Sequence, residues 1–129
     1  MTPLEKARLL LDKAIEDEAA MLVLAAAPTV GDAIVAFHAQ QSVEKFLKAV
    51  LASRGVAYPF THDLLALIDL AEAIEPFPID ATDAMRLTPY GARFRYEIPS
   101  SGAVPLDRAW ATHLVSQSRR WAEHVIARG

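Results

Sequence analysis

The chain has 129 residues, a net charge of −3 and no cysteine. That length suggests one domain whose core needs no staples, and the absence of cysteine excludes disulfides, thiol catalysis and cysteine-based metal sites. A slightly acidic chain is not a simple electrostatic binder of nucleic acid, so any such role needs a local basic patch.

The C-terminal third, where Arg86, Arg93, Arg95, Arg108, Arg119, Arg120 and Arg128 lie, can supply such a patch, or simply a solvated basic face. No run reaches the roughly 18–20 uncharged apolar residues of a membrane span. The apolar run at 19–30 is too short and is broken by Pro28. Charges at Glu5, Lys6, Arg8 and Asp12 speak against a secretory leader. The expectation is a cytoplasmic protein without membrane contact.

Thr2-Pro3-Leu4-Glu5 has the form of a capping box with proline at the first helical position. Leu4, Leu11, Ile15 and Leu22 then recur at helical spacing, which predicts a first helix from Pro3 to about Ala26. Pro28 and Gly31 separate it from a second helix, from about Asp32 to Ser53. Turned at 100° per residue, Val35, Ala39, Val43, Phe46, Leu47 and Val50 form one apolar stripe on that second helix. His38, Gln41, Lys45 and Lys48 fall on the opposite face, with Glu44 at the flank. Gly55 stands where a C-terminal cap belongs.

Thr61 or Asp63 can cap a third helix carrying Leu64, Leu67, Ile68 and Ala71, ended by Pro76 and Pro78. A short fourth helix is predicted from Asp80, its cap, to Leu87. The stretch 88–105 holds three prolines and two glycines and reads as a long irregular loop. Pro105 then opens a last helix that runs to about Ala127, with Leu106, Trp110, Leu114, Trp121 and Val125 as its apolar stripe. No strand pattern or repeat is visible. The fold class is all-α, an up-and-down helical bundle of about five helices over one domain.

Several of these residues also form a recognisable pattern. His38-Ala39-Gln40-Gln41, then Glu44-Lys45, Leu47-Lys48-Ala49 and Thr61-His62-Asp63-Leu64 follow one another over the second helix and the start of the third. With Arg95-Tyr96 before the last helix, the chain resembles the HEPN family (higher eukaryotes and prokaryotes nucleotide-binding), in particular a subgroup with the His-Ala-Gln-Gln pattern. The resemblance implies a helical bundle that dimerises. It also implies work beside a separate minimal nucleotidyltransferase and a groove for a nucleotide or a partner. Its ribonuclease members instead cut RNA without a metal, as toxins of toxin–antitoxin pairs. They carry an arginine and, four to six residues on, a histidine in the last helix.

The candidate binding residues follow from both readings. His38, Gln41, Lys45 and Lys48 can hold a phosphate or a base edge, since lysine offers a point charge and glutamine both a donor and an acceptor. The same lysines can equally form a solvated face or a dimer seam. Glu44 can pair with Lys48 one turn on, in the favoured order. His62 can be a base, a ligand contact or a loop-fixing hydrogen bond. Arg95 and Tyr96, in a segment that interleaves arginine with aromatics, suit phosphate contacts and base stacking, or packing of the loop onto the bundle.

A catalytic pair is the alternative. Arg108 and His113 match the ribonuclease spacing, as do Arg119 and His124, but roughly one match is expected by chance in this composition. Ala109 after Arg108 offers no hydrogen bond, and a regular helix turns Arg108 and His113 well apart. If RNA is cleaved, His113 would be the acid or base and Arg108 the phosphate ligand. Better aligned on the last helix are His113, Gln117, Arg120 and His124, which form a polar rim suited to a dimer or partner interface. The two histidines are too far apart for zinc and no acid joins them, so no metal or other cofactor is expected. The leading expectation is a noncatalytic module, a homodimer that binds a nucleotide or a nucleotidyltransferase. A ribonuclease and a pure interaction module are the alternatives.

Overall fold

A computed structural model describes residues 1–90 and 105–129. Within them the chain forms five α-helices and one 3₁₀ turn, with no strand. The helices are α1 (Pro3–Ala25), α2 (Asp32–Ser53), α3 (Leu64–Glu72), α4 (Ala81–Met85) and α5 (Arg108–Arg128). The 3₁₀ turn is Thr88–Tyr90.

Helix α1 starts at the expected capping box. Thr2 Oγ1 accepts from the Glu5 N–H at 3.1 Å, and the Glu5 carboxylate accepts from the Thr2 N–H at 3.3 Å. Both orphan donors are thereby satisfied. A six-residue connection folds α2 back along α1. Ala7, Ala14 and Met21 recur every seventh residue and face the partner helix, fully buried. The small side chains let the backbones approach, so that the Ser42 hydroxyl reaches the Ala14 carbonyl at 2.8 Å.

Helix α2 is the centre of the molecule. It packs against α1, α3, α5 and the 3₁₀ turn. From Val35 to Arg54 none of its residues is exposed. The apolar stripe is buried as expected, with Phe46 its largest member. Helix α2 ends in a Schellman motif. The Gly55 N–H donates to the Ala52 carbonyl and the Val56 N–H to the Leu51 carbonyl, both at 3.0 Å. Gly55 sits at φ +68°, and a Cβ there would meet nothing within 4 Å. Gly55→Ala is therefore expected to cost about 1 kcal/mol from backbone strain alone, read as a lowered thermal midpoint with an unchanged circular dichroism spectrum.

Helix α5 runs parallel to α2 and antiparallel to α1. Arg108 lies beside Asp32 at one end, and Arg54 reaches the Val125 carbonyl at the other. Helices α3 and α4 make the crossover. The boundary of α5 differs from the sequence expectation. The helix opens at Arg108 and not at Pro105, because the Asp107 carboxylate caps it by accepting from the Trp110 N–H at 3.0 Å and leaves Pro105 and Leu106 outside. Among the described residues, no helix is long and apolar enough to cross a membrane.

Candidate functional site

The sequence placed Glu44 at the flank of a polar helix face. It is a buried hub, 3% exposed. Gln40, Glu44 and Lys48 lie at i, i+4 and i+8, which stacks them along one ridge of α2. Glu44 Oε2 accepts from Lys48 Nζ at 2.9 Å. Its Oε1 accepts from Gln40 Nε2 at 3.1 Å and faces His62 Nδ1 at 2.8 Å. An ionised carboxylate can only accept, so His62 Nδ1 carries the proton and Nε2 is the atom left for another partner.

Gln40 closes the network. Its amide N–H also donates to the His62 carbonyl at 3.0 Å, and its oxygen accepts from Gln41 Nε2 at 2.8 Å. Every polar atom of this buried glutamine is engaged, which is the condition under which a buried network rigidifies a site. Gln40 was not among the residues expected to matter.

His62 reaches α2 because of the turn before α3. The Asp63 carboxylate caps α3 by accepting from the Leu65 N–H at 3.1 Å, and Thr61 Oγ1 accepts from the Asp63 N–H at 3.0 Å. Of the two expected caps Asp63 is the one used, and Thr61 fixes the turn that leads into it. The turn also lifts Phe60 clear of the bundle, where it is 96% exposed. Lys48 Nζ lies 5.9 Å from the Phe60 ring centre and 5.8 Å from that of Tyr58. Lys6 of α1 also lies over Tyr58, 5.3 Å from its ring centre. Phe60 meets His62 edge-on at 6.1 Å. Two cations, two aromatic rings and a carboxylate-held imidazole thus lie together on the surface where α1, α2 and the start of α3 meet. Phe60, Tyr58 and Lys6 escaped the sequence reading. Their signal was Tyr-Pro-Phe next to the Thr-His-Asp-Leu turn, an apolar pair in a polar loop.

The other candidates lie elsewhere. His38 Nδ1 is 3.2 Å from Asp17 Oδ1, and Lys45 bonds the other oxygen of the same carboxylate. These two residues therefore clip α2 to α1, and Gln41 lies between them and the Glu44 group. Arg95 and Tyr96 lie outside the described residues. Arg108 donates to the Asp32 carboxylate and to the carbonyls of Leu24, Ala25, Ala27 and Val30. His113 is exposed beside it, and both line a cavity of about 560 Å³ between the end of α1 and the start of α5. Arg119 pairs with Glu18 at 2.8 Å and Glu123 at 3.1 Å. Its hydrogen bond to Glu18 holds its guanidinium pKa above the ordinary value. No group of acids and histidines among the described residues could hold a metal ion.

An all-helical bundle with this central polar helix defines a class of small α-domains. The HEPN domain model matches residues 7–127, and the chain belongs to the HEPN family. No curated protein and no solved structure matches it.

Proposed function

We propose that this HEPN domain is a noncatalytic binding module whose Glu44-centred groove takes a nucleotide. One observation carries this reading. A single buried carboxylate holds Lys48 and His62 beside an aromatic ring that is almost wholly exposed. The Phe60 ring faces solvent, and a base stacks on such a ring irrespective of its identity. Lys48 and Lys6 then meet phosphate oxygens, and His62 Nε2 and Gln41 offer the hydrogen bonds that fix orientation.

The likeness to the His-Ala-Gln-Gln subgroup extends the proposal to a nucleotidyltransferase as partner. The exposed Leu9, Leu22 and Val23 of α1 support a homodimer.

Calorimetry with ATP and other nucleotides tests the groove. The expected result is saturable heat that falls about tenfold in affinity in Phe60→Ala, since stacking on one ring contributes about 1–3 kcal/mol. The same variant should keep its unfolding midpoint, because the ring packs on so little. No heat at millimolar nucleotide would overturn the reading and leave a pure interaction module.

The ribonuclease reading has one observation in its favour, the cavity shared by Arg108 and His113. The bonds already made by Arg108 favour a structural task for that guanidinium.

A further inference from the structure

Helix α1 carries two seams, and the fold fills one of them. Ala7, Ala14 and Met21 are buried against α2. Leu4, Arg8, Leu11, Ile15, Glu18 and Leu22 form a second row, turned toward α5. Their spacings alternate between four and three residues, the heptad pattern of a helix that packs on another helix.

Helix α5 leaves this row half covered. Leu4 is 44% exposed and Leu22 47%, and Leu11 and Ile15 are only partly buried. The Glu18–Arg119 bridge, at 2.8 Å, joins α1 to α5. On either side of it an open hollow lies between the two helices. One, of about 510 Å³, is lined by Leu4, Arg8 and Leu11 with Ile126 of α5. The other, of about 560 Å³, is lined by Leu22 with Ala109, Thr112 and Ser116.

The order of side chains along the row decides what fits it. Reversed end for end, the row keeps its character. Leu4 answers Leu22, Arg8 answers Glu18, and Leu11 answers Ile15. A second α1 laid antiparallel therefore sets apolar on apolar and cation on anion along the whole row. Laid parallel, it would set Arg8 on Arg8 and Glu18 on Glu18, and like charges repel. Reciprocal pairing is also what a two-fold axis demands, since residue i must meet j while j meets i.

The charges are available for it. Arg8 is exposed and makes no ion pair or side-chain hydrogen bond among the described residues. Glu18 gives Oε1 to Arg119, and its Oε2 accepts no hydrogen bond among the described residues.

We propose that this row is the seam of a homodimer in which α1 packs antiparallel on α1 of a second copy. Arg8 of each protomer pairs with Glu18 of its partner, and the partner's helix covers both hollows. The seam specifies the homodimer proposed above and rests on it.

The chain has no cysteine, so single cysteines report the register. Leu4→Cys and Leu22→Cys, mixed at micromolar concentration and mildly oxidised, should cross-link to each other. Neither should cross-link to itself, because an antiparallel pair holds the two copies of either position roughly 27 Å apart along the helix. Arg8→Glu should raise the dimer dissociation constant about tenfold in analytical ultracentrifugation, since both symmetric pairs become repulsive. Its helical circular dichroism should match the parent. A parent that stays monomeric at high micromolar concentration overturns the homodimer and its seam together. A dimer that cross-links Leu4→Cys to itself, or that Arg8→Glu leaves intact, keeps the homodimer and overturns this seam.

Discussion

Arg108→Ala is expected to destabilise the bundle by about 2–4 kcal/mol, a large loss for one partly exposed side chain. All three guanidinium nitrogens are engaged, Nε with Asp32, one terminal nitrogen with three carbonyls, the other with the Val30 carbonyl. Those carbonyls end α1 and the following turn, where helical partners run out and the helix dipole is negative. A positive fork is the residue that serves several such acceptors at once. Asp32 in turn accepts from the Leu106 N–H at 3.0 Å, so the variant also loosens the entry to α5. Arg108→Lys should recover less than half of the loss, because an ammonium reaches fewer carbonyls. His113→Ala should stay within about 0.5 kcal/mol of the parent, as exposed positions usually do.

Urea unfolding of the three variants measures this. The same proteins incubated with RNA separate the roles. A structural Arg108 loses stability and leaves no cleavage to lose. An unchanged midpoint together with His113-dependent cleavage would make the pair catalytic.

The second large effect is expected at Glu44. Glu44→Ala removes the common acceptor of Lys48, His62 and Gln40. Breaking a buried pair by deleting one partner costs about 3–5 kcal/mol. Here about 2–4 kcal/mol is expected, because the His62 side chain is 38% exposed and can turn to water. Gln40 cannot, since it is fully buried. The double variant Glu44→Leu with Lys48→Leu should regain part of the loss, as apolar replacements of buried ion pairs often do. It should not regain nucleotide binding. Chemical denaturation and calorimetry on the single and double variants check both halves. If the double variant binds as the parent does, the Glu44 group is only a structural network.

The helices were largely legible in the sequence, and the reasons are local. Thr2 with Glu5, Asp63, Asp80 and Gly55 stand at element ends because caps satisfy orphan backbone groups within a few residues. The start of α5 was misplaced because proline at a first helical position and proline before a cap look alike. The Asp107 side chain decides between them. The polar face of α2 was legible as composition and not as geometry. Its periodicity gave one face, whereas the fold divides it. His38 and Lys45 turn to Asp17 on α1, while Gln41, Glu44 and Lys48 turn to the groove beside His62.

By itself the sequence determined the helical class, the order of the elements, the family and the apolar stripe of α2. These depend on spacings of three, four and seven residues, which a linear chain displays directly. Only the tertiary structure decided which charges are sites and which are clips. Arg108 and His62 look alike as polar residues near a helix start. One is consumed by the end of α1, 81 to 84 residues away in sequence. The other is held at Nδ1 by a carboxylate 18 residues earlier, with no partner for Nε2 among the described residues. A side chain's availability depends on who else reaches it, and those partners come from distant helices that no local period records.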